Sequence, residues 1–214
     1  MPFMPSRHDQ QKGKTMKVLV IGATGAIGKA VVSELATRHD ILAASRSSAI
    51  YPVDVLQAAS IEALFQKTGK VDAIVATTGS LHFGPLAEMT GEQFRVGLNS
   101  KLMGQVELAL IGQKYLTDGG SITLTSGIVS EQAIRFGANA SAVNRALEGF
   151  VMGAAIELGR GIRINVVSPN VLQESMPAYG PYFVGFEAVP AARVALAYAR
   201  SVDGAQTGQV YRVW

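Results

Sequence analysis

The 214-residue sequence contains no cysteine. Disulfides, thiol nucleophiles and zinc sites built on cysteine are therefore excluded. Charge is also sparse: 16% of residues are Asp, Glu, Lys or Arg, against 48% hydrophobic. That balance excludes an intrinsically disordered chain and leaves material for one sizeable core. No uninterrupted apolar run reaches the ~18 residues expected of a membrane span. The N-terminus lacks the apolar centre of a secretion signal. A cytoplasmic protein with no membrane partner is expected.

The net charge of +3 is unevenly placed. Arg7, Lys12 and Lys14 against Asp9 give residues 1–15 a net of +2, so the rest carries only +1. With no basic face in that remainder, a nucleic-acid partner is not expected. Residues 1–15 are polar and read as a disordered extension, with Met16 as an alternative first residue. Residues 16–214 read as one domain.

Glycine, by contrast, is abundant, and three glycines stand at spacing three in Gly22-Ala23-Thr24-Gly25-Ala26-Ile27-Gly28. The apolar run Lys17–Ile21 before them reads as a buried parallel strand, and Ala26–Arg38 after them as a helix. Such a junction lets a diphosphate approach backbone N–H groups where the helix dipole favours negative charge. Gly22, Thr24, Gly25, Ile27 and Gly28 are thus candidates for a dinucleotide site.

Strand-like and helix-like segments alternate along the rest of the chain. The expected strands are Lys17–Ile21, Asp40–Ala44, Ile50–Val53, Val71–Thr77, Ser121–Ser126, Ile162–Ser168 and Gln209–Val213. The expected helices are Ala26–Arg38, Ala59–Lys67, Glu92–Tyr115, Gly137–Leu158 and Pro190–Ser201, with a short helical turn in Pro85–Met89. This pattern implies an α/β fold: one doubly wound, Rossmann-type domain with a parallel seven-stranded sheet and helices on both faces. Ligands in such sheets sit beyond the carboxyl ends of the strands, so residues just after strands are the functional candidates.

The second strand ends at Ser45-Arg46-Ser47. An acidic residue there would bind the ribose 2′-hydroxyl of NAD, whereas Arg46 between two hydroxyls suits a 2′-phosphate. NADP is therefore expected over NAD. Asp54-Val55 follows the third strand, where Asp54 would accept from an adenine amino group or else cap a turn. Thr78 and Gly79 follow the fourth, where small residues let backbone approach the adenosine ribose.

Together these segments resemble the short-chain dehydrogenase/reductase family from Lys17 to the C-terminus. Several places carry over from that resemblance. Asn99, in Gly97-Leu98-Asn99-Ser100-Lys101, resembles the helix Asn that holds a proton-relay water. Ser126, closing Ser121-Ile122-Thr123-Leu124-Thr125-Ser126, takes the place of the catalytic Ser. Arg163–Asn170 resembles the strand and turn at the nicotinamide end, which implies contacts from Pro169 and Leu172. Asn170 stands there in place of the usual glycine.

One departure is decisive. The family carries Tyr-x-x-x-Lys on the helix after Ser126. Here Ala140-Ser141-Ala142-Val143-Asn144 precedes Arg145-Ala146-Leu147-Glu148-Gly149-Phe150, so Ala140 takes the Tyr place and Asn144 the Lys place. No Tyr or Lys occurs between Tyr115 and Tyr179. Asn144 still offers hydrogen bonds to a ribose hydroxyl but no charge. General acid–base help is typically worth about 10²- to 10⁴-fold, so another group would have to supply the proton. His82, Tyr179 and Tyr182 are candidates, against plain loop or packing roles; Lys101 could supply a positive charge and Arg135 could clamp an anionic substrate, against solvated surface roles. Lys101 lies two positions from Asn99, a spacing that does not share a helix face.

The resemblance implies an NADP(H)-dependent oxidoreductase with an atypical site, or alternatively a non-catalytic NADP-binding sensor or partner protein. It also implies a homodimer or homotetramer built on the two long helices. No metal site is expected.

Overall fold

A computed structural model describes residues 15–214. The reading of an N-terminal extension lies outside the described residues, save for exposed Thr15. Six parallel strands form one sheet in the order β2-β1-β3-β4-β5-β6. They are β1 (Lys17–Ile21), β2 (Asp40–Ala44), β3 (Val71–Ala76), β4 (Leu116–Thr125), β5 (Arg163–Pro169) and β6 (Val210–Val213). The helices are α1 (Ala26–Leu35), α2 (Ala58–Thr68), α3 (Gly91–Gly97), α4 (Gly104–Gly112), α5 (Ala138–Glu157), α6 (Met176–Tyr179) and α7 (Ala191–Asp203).

Alternation along β1 explains the layering. Val18 and Val20 join Val31 and Leu35 of α1 and Val194 and Tyr198 of α7 on one face. Leu19 and Ile21 join Ile61 and Phe65 of α2, Leu108 of α4 and Leu147 and Val151 of α5 on the other. A strand buried on both faces must be apolar throughout, which is why the sequence reads as a continuous run rather than an alternating one. Cutting Leu19, which is fully buried, to Ala would cost about 2–5 kcal/mol.

Two expectations are corrected. The sheet has six strands, not seven, because Ile50–Val53 forms only a single bridge, Ser45 to Pro52. The bridge is Ser45 N donating to Tyr51 O at 3.3 Å and Val53 N donating to Ser45 O at 3.2 Å. It goes no further because Ser48 Oγ accepts from Tyr51 N at 3.0 Å and donates to Ala43 O at 3.3 Å, standing where the next ladder bond would form. The long helix expected over Glu92–Tyr115 is interrupted: residues Leu98–Met103 form a π turn, in which Gly104 N–H bonds to Asn99 O. The wider turn puts an extra residue into the helix, and Gln105 compensates. Its Nε2 donates to Lys101 O and to Thr125 O, both at 3.0 Å, while its Oε1 accepts from Thr125 N at 2.8 Å. One buried amide thereby ties the π turn to the carboxyl end of β4.

The chain winds from β1 outward to β2, then crosses to β3 on the other side of β1. The switch point therefore lies at the carboxyl ends of β1 and β3.

Candidate active site

A cavity of about 740 Å³ opens at that switch point, bordered by the glycine turn, Arg46, Asp54, Gly79 and Asn99. A second, of about 470 Å³, continues from it across Gly79 and Ser80, toward Ile27, Ser126, Asn144, Pro169 and Leu172.

The glycine turn is fixed by sterics. Gly22 has φ +85°, and a Cβ on it would lie 2.6 Å from Thr77 O. A Cβ on Gly28 would lie 2.1 Å from Gly22 O. Gly25 differs: a Cβ there would meet only Gly22 O, at an ordinary 3.4 Å. The chain's own packing does not require glycine at position 25, which borders the larger cavity. The first turn of α1 carries no acidic residue, and its leading N–H groups have no partners within the helix. The junction thus combines free amide donors, a favourable dipole end and room for close approach, a donor set suited to a diphosphate.

At the far rim, Arg46 is exposed and makes no ion pair or hydrogen bond among the described residues. Ser45 Oγ and Ser47 Oγ stand 3.4 Å apart beside it. The Asp54 carboxylate is committed to its own turn: Oδ1 accepts from Leu56 N at 3.0 Å and Oδ2 from Gln57 Nε2 at 3.3 Å. Of the two roles open to it in sequence, the turn role is the one seen here. Val55 borders the cavity and packs against Gly104. Thr78 and Gly79 run between the two lobes, and Ser80 N donates to Ser100 Oγ at 2.9 Å, tying the loop to the π turn.

The inner lobe is apolar on its outer side, where Leu81, Phe83, Tyr179 and Phe183 gather. Its floor is polar. Ser126 is buried, and its Oγ donates to Glu148 Oε1 at 3.0 Å, an acceptor shared with Ser130 Oγ at 2.6 Å. Arg145 holds the other oxygen of Glu148 at 3.1 Å. Three buried side-chain atoms lack a hydrogen-bond partner among the described residues, on Ser121, Asn144 and Ser168. Of these residues only Asn144 borders the inner lobe. Its Oδ1 is an acceptor awaiting a donor, a fit for a ligand hydroxyl.

Residues 17–210 match the family described as Enoyl-(Acyl carrier protein) reductase. The chain is a member of the short-chain dehydrogenase/reductase family. It is 49% identical to the protein lin1944 from Listeria innocua, whose crystal structure superposes with a TM-score of 0.92 over 94% of this chain and 100% of that one. A small-chain dehydrogenase crystallised in complex with NADPH is 26% identical, with a TM-score of 0.83 over 94% and 97% of the two chains. Among characterised sequences, the hydroxynaphthalene reductase-like protein Arp2 of Metarhizium brunneum is 28% identical over 81% of this chain and 74% of its own. The family's members are oxidoreductases that bind a nicotinamide cofactor. No described helix of this member is long and apolar enough to cross a membrane.

The residues singled out in sequence do not all converge. Gly22, Thr24, Gly25, Ser45, Arg46, Ser47, Asp54, Val55, Thr78 and Gly79 border the outer lobe. Ile27, Ser126, Asn144, Pro169 and Leu172 border the inner one. Asn99 is exposed and faces the outer lobe rather than the floor near Ser126. His82, between Leu81 and Phe83, is not among the residues bordering the inner lobe, and its Nε2 stands 3.0 Å from where a Cβ on Gly84 would be. Only its backbone is held near the site, with N donating to Asn139 Oδ1 at 3.0 Å. Tyr179 does border the inner lobe, edge-on to Phe83 at 5.7 Å. Ala140 is fully buried among apolar side chains.

Lys101, weighed in sequence as a positive charge for the site against a solvated surface role, is partly buried on the inner lobe and donates from Nζ to Ser126 O at 2.9 Å. Burial lowers its pKa to about 8. The π turn defeats the spacing argument, because faces counted on a regular α-helix do not hold across it. One signal was available: Lys101 is the only charged residue from Val96 to Val106.

Proposed function

We propose that this protein is an NADP(H)-dependent oxidoreductase whose proton chemistry departs from that of its family. The reading is carried by Arg46, an unpaired guanidinium on the rim of a cavity that begins at the α1 amides. A guanidinium suits a 2′-phosphate, which it grips in two-pronged fashion. The α1 amides would hold the diphosphate, Asn144 Oδ1 would accept from a ribose hydroxyl, and Pro169 and Leu172 would wall the nicotinamide end. The cofactor, when bound, supplies reducing equivalents as hydride.

Ser126 contributes less than its place in the family implies, since its hydroxyl is already donated to Glu148. Tyr179, whose ring packs edge-on to Phe83 at the inner lobe, would deliver a proton to a substrate oxygen. Leu81, Phe83 and Phe183 would favour an apolar substrate body and exclude water.

A second reading is a sensor that holds NADP without turning it over. It is favoured by one observation: the helix position that should carry the acid is Ala140, fully buried. NADPH oxidation across a panel of aromatic and aliphatic ketones, aldehydes and imines separates the two. Turnover that falls on Tyr179→Phe supports the enzyme; tight NADPH binding without turnover supports the sensor.

A homodimer is part of the proposal. Met152 and Ile156 stand 71% and 89% exposed on α5 beside the open Gly149 and Gly153, an apolar face suited to a second copy. A cytoplasmic location goes with this reading, as does the single domain over 16–214.

A further inference from the structure

The inner lobe has two polar groups on its floor whose capacities complement each other. Lys101 approaches from the π turn on one side, and its Nζ spends one of three donors on Ser126 O at 2.9 Å. Asn144 approaches from α5 on the other side, and its Nδ2 lies 3.1 Å from where a Cβ on Gly127 would be. The two side chains therefore meet successive residues, Ser126 and Gly127, at the carboxyl end of β4. Lys101 retains donors, and Asn144 Oδ1 is a buried acceptor with no partner among the described residues. A ligand hydroxyl between them would accept from the ammonium and donate to the amide oxygen, leaving neither group unsatisfied.

The surrounding backbone is shaped to bring Lys101 here. Gly79 has φ +125°, and a Cβ on it would lie 2.5 Å from Lys101 Cα. Gln105 and Ser100 lock the π turn to β4 and to the loop after β3.

We propose that Lys101 is the cation that grips the nicotinamide ribose, reaching it from the π turn while Asn144 holds the same diol from α5. The assignment rests on the NADP(H) reading above. It moves the charge missing at position 144 of α5 onto the π turn.

Other charges do not compete for that part. Among the described residues, Tyr179 is the only other ionisable side chain bordering the inner lobe. Glu148, behind Ser126 on α5, is held by Ser126, Ser130 and Arg145. The His82 ring lies against Gly84. Glu92 and Arg95 of α3 border the outer lobe, and Glu107 lies beyond Gln105 on α4.

The test is NADPH affinity measured by calorimetry from pH 6.5 to 9.5 on the full chain, with Lys101→Met, Lys101→Arg and Arg46→Ala alongside. Wild-type affinity should fall about tenfold as pH rises through about 8, the value to which burial brings the ammonium. Lys101→Met should bind about tenfold more weakly at pH 7 and lose the pH dependence. Lys101→Arg should recover affinity with a flat profile, because its charge does not titrate in this range. Arg46→Ala should bind more weakly at every pH yet keep the wild-type slope. A flat wild-type profile overturns the proposal even if a variant fails to fold, as does a Lys101→Met protein that binds like wild type. A wild-type protein that binds no NADPH at any pH instead overturns the cofactor reading itself.

Discussion

The backbone at Gly79 passes so close to Lys101 that a Cβ on the glycine would sit 2.5 Å from the lysine Cα. The loop that divides the two lobes is thus in direct contact with the π turn that carries the cleft's cation. A helix without that extra residue would present a different side chain at this contact. The glycine and the π turn act as one device.

The tightest sterics lie at the other end of the cleft. Gly28→Ala would bring a methyl group to 2.1 Å from Gly22 O. Thermal unfolding of this variant should show a loss of at least about 2 kcal/mol, and NADPH binding should disappear because the amide cradle opens. Gly25→Ala should unfold like wild type, since its Cβ would meet only an ordinary contact at 3.4 Å, yet it should bind NADPH weakly.

Arg46 makes no ion pair to lose among the described residues, so Arg46→Ala should leave stability unchanged. It should weaken NADPH about ten- to hundredfold and leave NADH affinity alone, the range expected for charge-assisted hydrogen bonds to one phosphate. Parallel titrations with the two coenzymes read the difference.

Gln105 is fully buried and serves Lys101 O, Thr125 O and Thr125 N at once. Gln105→Leu strands those groups and should lower stability by about 2–4 kcal/mol in urea unfolding.

The folded protein also carries a strained charge. Burial lowers the Lys101 pKa from 10.5 to about 8. Below pH 8 folding must desolvate an ammonium. Between about 8 and 10.5 the folded chain has given up that proton while the unfolded chain still holds it, so stability attributable to Lys101 rises with pH. Melting curves of the ligand-free wild type and Lys101→Met, taken from pH 7.5 to 10.5, should therefore converge as pH rises, with Lys101→Met the more stable at the low end.

Much of the fold is legible in the sequence. The buried strand Lys17–Ile21 and its glycine turn are written in a short apolar run and three spaced glycines, both of which act locally. The edge is not: Ile50–Val53 has strand-like composition, but Ser48 Oγ takes the Tyr51 N–H and bonds Ala43 O, where the next ladder bond would form. The inner lobe was least legible. Sequence spacing assumed a regular helix over Glu92–Tyr115, and the π turn at Leu98–Met103 rotated Lys101 onto the floor and left Asn99 toward the outer lobe. Ser126 was found by its place on a strand, but its hydroxyl's commitment to Glu148, 22 residues away on α5, is a tertiary fact. His82 sits in the expected loop, with its ring packed toward Gly84 rather than the cleft.

Calorimetric titration of the full chain with NADPH at pH 7 tests the central claim most directly. Saturable binding in the micromolar range, displaced by NADP⁺ and at least tenfold tighter than NADH, is the predicted result. No heat and no thermal shift with either reduced coenzyme at millimolar concentration would contradict it.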